Sequence, residues 1–325
     1  MSRTIDTLLL LALPASGKSE VRKYMDSLDP ERSRDELHMG RTVQLDDFPY
    51  VHLMHRIDDE LKQAGGEYLF YQGPDKPARD PIFWGILVAL LNEDYDDLVH
   101  RRHFEPHSAA RWLFERLDSA RIRARGDTVL DKLDPAVLDK AIAALEPECR
   151  TLLDDKLANY QDSLEDKTVV IEFARGGPDG SDMPLTGYLG YQYALAHLSE
   201  DILKNAAILY IWVTPEESRR KNADRADPDD PGSILHHGVP MEVMLGDYGC
   251  DDIDHLIASS DKPGTIRVEA HGKVFHLPIG RFDNRVDKTS FLRGDPSEWA
   301  EADVKAIHEG IAGAMAQIAE NYGKA

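Results

Sequence analysis

The stretch Leu8–Met25, "LLLLALPASGKSEVRKYM", decides the reading of this chain. Leu8 to Leu11 is a continuous apolar run of the kind shown by a strand buried on both faces. It ends at Pro14-Ala15-Ser16-Gly17-Lys18-Ser19, and the residues behind it read as a helix from about Lys18 to Leu28. Strand, loop and helix in that order are the context a phosphate-binding loop requires. In such a loop successive backbone N–H groups turn inward, and the following helix adds a partial positive charge of about half an elementary unit. Pro14, Ala15, Ser16, Gly17, Lys18 and Ser19 are therefore the expected nucleotide-binding residues, with Lys18 on the outer phosphates and the Ser19 hydroxyl on Mg²⁺. The spacing G-x-x-x-x-G-K-[ST] is kept except at its first glycine, where this chain has Ala12.

With 325 residues, 42% of them hydrophobic, the chain can bury a sizeable core, as one large domain or as a core domain with an insertion. No stretch approaches the roughly 18 apolar residues of a membrane helix, and the leading apolar run is too short for a signal peptide and is broken by Pro14. A cytoplasmic protein with no membrane partner is the expectation. Cys149 and Cys250 are far apart, which indicates neither a disulfide framework nor a zinc site, and both read as buried thiols. A net charge of −21 opposes sequence-independent binding to nucleic acid, so duplex DNA is not an expected partner. One segment runs against the acidic trend: His100 to Arg125 holds seven arginines and three carboxylates. Arg101, Arg102, Arg111 or Arg116 is accordingly a candidate contact for an anionic acceptor.

Working outward, strand-like and helix-like segments alternate, which argues for a parallel α/β core. Strands are expected at about Thr7–Leu13, Thr42–Leu45, Thr168–Phe173 and Ala206–Val213, with two more in Thr265–Ile279 around His271-Gly272. Helices are expected near Pro184–Ser199, after Thr214-Pro215, and from about Ser297 to Asn321. Between the second and third strands the residues read mainly as helices; Ala109, Trp112, Leu113, Leu117 and Ala120 share one helical face. The organisation expected is a core of residues 1–50 and 166–325 with a lid at about 219–240, and a helical insertion over 51–165 that covers the substrate. Asp224 to Gly238, rich in Asp, Pro and Gly, reads as a mobile loop.

On these residues the chain resembles the kinase branch of the P-loop NTPases, the group of nucleoside, nucleotide and small-metabolite kinases. The likeness covers roughly residues 5–48 and 168–225. "ALPASGKS" is similar to that group's Walker A loop, and the aspartate ending the second strand is similar to its substrate-hydroxyl contact. "VVIEFARGG", Val169–Gly177, resembles a Glu-x-x-Arg element, and "LYIWVTPEESRRKNADR", Leu209–Arg225, resembles the strand and arginine-bearing helix that lead into a lid. The resemblance implies a three-layer P-loop NTPase core with a parallel sheet, ATP and Mg²⁺ as cofactors, and transfer of the γ-phosphate to a small hydroxyl- or phosphate-bearing acceptor.

Phosphoryl transfer is achieved by positioning and electrostatics, so each role asks for a particular side chain. Asp46, or its neighbour Asp47, is placed to take the acceptor's proton; alternation along the strand allows only one of the two to face the site. Glu172 is a carboxylate in an otherwise apolar strand and is the candidate metal-linked acid. Arg175 could pair with Glu172 or meet a phosphate. Arg219, Arg220 and Arg225 precede the Asp/Pro/Gly-rich loop, where lid closure would bring a guanidinium onto the transferring phosphate. The other class of reading is an ATP-dependent switch or ATPase acting on a protein partner; a third is an ATP-binding protein without transfer. His236-His237 has no third ligand nearby and is discounted as a metal site. Asn284-Arg285-Val286-Asp287 resembles the guanine-reading N-K-x-D of GTPases, but carries Arg for Lys and does not read as directly following an apolar strand.

Overall fold

Leu8 to Leu11 lie, fully buried, inside a six-stranded sheet. The computed structural model describes residues 4–225 and 238–324, Arg225 by its backbone alone. His236, His237 and most of the Asp/Pro/Gly-rich loop fall outside the described residues. The strands are β1 (Thr7–Leu11), β2 (Arg41–Asp46), β3 (Lys167–Phe173), β4 (Ala206–Trp212), β5 (Thr265–Ala270) and β6 (Lys273–Asp283). Their order is β2-β3-β1-β4-β6-β5, with every pair parallel except the β5–β6 hairpin. His271 and Gly272 at its tip have φ of 53° and 71°, the pair of positive values that a tight two-residue hairpin turn demands.

Helices fill the connections: α1 (Lys18–Ser27), α2 (Pro30–Leu37), α3 (Phe48–Gln63), α4 (Ile82–His100), α5 (Ala109–Arg123) and α6 (Pro135–Ala158). After β3 come α7 (Gly190–Ala196), α8 (Glu200–Leu203), α9 (Pro215–Arg225), α10 (Met241–Gly246), α11 (Ile253–Ser259) and α12 (Glu301–Asn321). Alternation along β1 sends Leu8 and Leu10 to one face, where they meet Val21 and Met25 of α1 and Ile311 and Met315 of α12. Leu9 and Leu11 go to the other face, against Val88, Leu91, Tyr95 and Leu98 of α4 and against α7 and α11. The result is an α/β structure of three layers, as expected.

Two expectations need correction. Residues 184–189 are not helical, because Gly187 and Gly190 sit at φ of 68° and 73°; α7 begins only at Gly190. The helical segment after β2 is also not separable from the core at residue 51. It has its own apolar centre, built from α3 to α6, but α4 serves both bodies. Its Phe83, Trp84, Leu87 and Leu90 face that centre while Val88, Leu91, Tyr95 and Leu98 face the sheet. A helix apolar all round is what such a shared position requires.

Candidate active site

The loop between β1 and α1 is shaped by its backbone. Ala15 at φ 56° and Gly17 at φ 96° are left-handed on either side of Ser16, a conformation that turns N–H groups towards a common centre. Glycine is required at 17, since a Cβ there would run into the side chain of Thr289. The loop's carbonyls are tied outward. Tyr191 donates to Ala12 O at 3.0 Å, the Ser16 hydroxyl to Leu13 O, Ser218 to Pro14 O at 2.8 Å, and Asn284 Nδ2 to Ser16 O at 2.8 Å. No described protein acceptor takes the backbone N–H groups of Ala15, Ser16 or Gly17. Lys18 and Ser19 open α1; neither the Lys18 ammonium nor the Ser19 hydroxyl has a hydrogen bond or ion pair to a described residue, while the Lys18 charge acts on the Asp46 and Asp47 carboxyls.

These atoms line one end of a cavity of about 300 Å³ between the C-terminal ends of the parallel strands and the helices α3 and α4. Asp46, Asp47, Glu172, Arg22 and Arg175 line it too. Asp46 and Glu172 are register partners on β2 and β3, so their side chains share the α1 face of the sheet. Arg22, one helical turn beyond Lys18, donates to Glu172 Oε2 at 3.1 Å and stands 3.9 Å from Asp46. Arg175 does not pair with Glu172: it donates to Asp47 at 2.6 Å, and both partners are buried. Burial first, and then the charges of Glu172 and Asp47, push the Asp46 carboxyl up to about 7. Asp47 is also raised, by burial, with Arg175 opposing. The expectation that only one of the pair faces the site is corrected. β2 ends at Asp46 and Asp47 is the N-cap position of α3, so strand alternation no longer governs it. Asp46 also accepts from the N–H of Phe48 at 2.8 Å, a turn-stabilising bond that leaves its second oxygen to the cavity side.

The lid arginines are not brought together here. Arg219 lies near Asp179 and Glu216, and Arg220 pairs with Glu217 and Asp224; neither lines the cavity. α9 contributes instead Ser218, which holds Pro14 O, and Asn222, which lines the cavity and exchanges two hydrogen bonds with the backbone of Val239. The arginine island is likewise no anion site. Arg101, Arg102 and Arg111 are exposed beside Asp162, Asp96 and Asp139. Arg116 is buried and held by Glu93, Asp94 and the Tyr50 hydroxyl. None of the four lines the cavity.

Asn284-Arg285-Val286-Asp287 does follow a strand directly, because β6 runs on to Asp283, beyond the expected end at Ile279. Its duty is to brace the loop. Asn284 is fully buried, and Asp287 accepts from Lys221 at 2.9 Å and from the backbone of Thr289 and Ser290. Cys149 is buried, its thiol pushed up to about 12, whereas Cys250 is only half-buried.

The other half of the cavity could not be foreseen from motifs. Tyr71, Phe83, Trp84 and Tyr248 form a run of edge-on ring contacts at 5.0–5.5 Å, and His55 stacks on Tyr71 at 3.5 Å. Arg22 did carry a signal, its i+4 spacing from Lys18 on α1. The ring wall had none, since its members come from three separated segments. Among the described residues no group of three or more His, Cys, Asp or Glu could hold a metal, and no helix is long and apolar enough to cross a membrane. The unpartnered Ser19 hydroxyl with the carboxylates of Asp46 and Glu172 offers hard oxygen donors. That donor set suits Mg²⁺, which commonly takes few protein ligands and completes its shell with phosphate and water. No protein-family model matches this chain, and no curated protein matches it.

Proposed function

We propose that this protein is an ATP-dependent phosphotransferase of the P-loop type that passes the γ-phosphate to a small hydroxyl-bearing acceptor. The observation that carries the reading is the state of Lys18 and Ser19. In a cavity where Arg22 and Arg175 are matched to carboxylates, this ammonium and this hydroxyl are unengaged beside inward-turned N–H groups. An ammonium that hydrogen-bonds and ion-pairs with no described residue, and feels only the through-space pull of Asp46 and Asp47, is explained by an anion that binds there.

In this reading the loop N–H groups and Lys18 hold the β- and γ-phosphates. Mg²⁺ would be held by Ser19 with Glu172 and would supply charge neutralisation. Asp46 orients the acceptor hydroxyl and takes its proton as the acceptor oxygen bonds to the γ-phosphorus. The bond from that phosphorus to the bridging oxygen breaks, and ADP leaves. A carboxyl with its pKa pushed up to about 7 is well matched to receive that proton at neutral pH.

A switch or ATPase reading is favoured by one observation, that Arg219 and Arg220 are held by neighbouring carboxylates and stay clear of the cavity. Steady-state hydrolysis of Mg·ATP, measured alone and with a panel of alcohols, separates the two. Slow hydrolysis that gives way to phosphorylated product supports transfer. Fast hydrolysis indifferent to every alcohol overturns it.

A further inference from the structure

The acceptor side of the cavity has a chemistry of its own. Its wall is apolar and ring-lined, made by Tyr71, Phe83, Trp84, Tyr248 and Val243. Tyr71, Phe83 and Trp84 are buried, with His55 against Tyr71 and Arg175 over Trp84, so the rings offer the cavity an apolar wall against which a flat molecule can pack, whereas a sugar needs a dense set of hydrogen-bonding groups. The charge balance is also informative. Arg22 is matched by Glu172 and Arg175 by Asp47, and Asp46 and Asp247 add carboxyl groups to the lining. Lys18, which ion-pairs with no described residue, sits at the phosphate end, where its charge acts on Asp46 and Asp47. An acceptor bearing its own carboxylate or phosphate would thus meet, beside the rings, only an arginine whose charge Asp47 already balances.

One polar feature is left over. Arg175 is 1% exposed, yet its Nε and Nη2 have no hydrogen-bond partner; only Nη1 is used, on Asp47 and on Ala174 O. Its guanidinium carbon lies 5.4 Å from the centre of the Trp84 ring. A buried donor left unsatisfied is costly, and a ligand acceptor atom would recover that cost.

We infer that the acceptor is a neutral alcohol built on a flat ring, with a hydrogen-bond-accepting atom on the ring edge that meets Arg175. The ring packs against the aromatic wall and the hydroxyl arm extends towards Asp46. This inference rests on the phosphotransferase reading for the fate of the hydroxyl, but the ring pocket itself does not depend on ATP.

The test uses the full chain and two readouts. Dissociation constants are measured for 2-naphthalenemethanol, 6-quinolinylmethanol, glucose and 3-hydroxybenzoate by thermal shift, with a parallel titration of Mg·ATP. The quinoline alcohol, which carries a ring nitrogen, should bind about tenfold more tightly than the naphthalene alcohol, the worth of one hydrogen bond. Glucose and the carboxylate should give no shift. Tighter binding of glucose or of 3-hydroxybenzoate overturns the inference, and equal affinities of the two ring alcohols remove Arg175 from it. Trp84 is one of four tryptophans. Quinoline binding should quench emission in the parent and lose that quench in Trp84→Phe, which keeps a ring; a quench that persists places the ring elsewhere and overturns the pocket. An Mg·ATP shift without ring binding defeats this inference alone, and ring binding without an Mg·ATP shift defeats the phosphotransferase reading alone.

Discussion

Asp46 and Glu172 stand opposite each other as register partners on adjacent parallel strands, with Arg22 3.1 Å from Glu172 and 3.9 Å from Asp46. Two carboxylates side by side resist ionising together, and one arginine offsets only part of the repulsion. Glu172 is hydrogen-bonded to Arg22, while the Asp46 carboxyl is pushed up to about 7; under the proposed function Asp46 is then the group that exchanges a proton.

Lys18→Ala should abolish the thermal shift given by Mg·ATP while changing the melting of the free protein little, within the roughly 0.5 kcal/mol typical of a side chain with no hydrogen bond or ion pair. A mutant that Mg·ATP stabilises as much as the parent would show that Lys18 does not meet phosphate.

Asp46→Asn should lower turnover by roughly 10² or more, with nucleotide affinity little changed. In the parent, turnover should rise as pH increases towards about 7, where Asp46 loses its proton, and then level off. That rising limb should vanish in the variant. A limb that survives assigns the titration to another group, and a large loss of ATP affinity assigns Asp46 to the metal.

Asn284→Ala should destabilise the protein by about 1–3 kcal/mol, because Ser16 O is left buried without its donor. Mg·ATP affinity should fall with it, since Asn284 fixes the loop whose N–H groups face the cavity. Denaturant melts with and without nucleotide read both effects; intact affinity would separate the brace from the binding loop.

Stability itself should depend on pH in an unusual direction. Asp46 is pushed up to about 7, and Asp58, Asp247 and Asp251 to about 6, all chiefly by burial. Their unfolded values lie near 4, so between about pH 4 and 7 the folded state holds more protons than the unfolded chain. The stabilisation these groups give is fully present below their unfolded values and is lost as pH rises through the folded ones. Melting temperature should therefore fall from pH 5 to pH 7.5. Asp46→Asn should flatten the upper part of that fall; a melting temperature that climbs over the range contradicts the assignment.

Much of the core was legible along the chain. A run such as Leu8–Leu11 can only be a doubly buried strand, Gly17-Lys18-Ser19 behind it marks a loop opening a helix, and Val169–Phe173 and Ala206–Trp212 repeat the apolar signature. Those are local signals, set by side-chain periodicity and backbone freedom within a few residues. What lay beyond them was a matter of partners. The sequence offered Arg175 only Glu172 or a phosphate as partner; the sheet put Glu172 on the α1 face, and Asp47 at the start of α3 took the arginine instead. Arg116 sat among surface arginines in sequence, but Asp94 from α4 and Tyr50 from α3 closed over it in the helical core. Tyr71, Trp84 and Tyr248 became one wall only through the packing of segments far apart in the chain. Periodicity therefore determined the strands, the loop and the helix behind it, while the pairing of charges and the shape of the ring-lined cavity were decided by tertiary structure, because each depends on which distant carboxylate or ring the fold brings within a few ångströms.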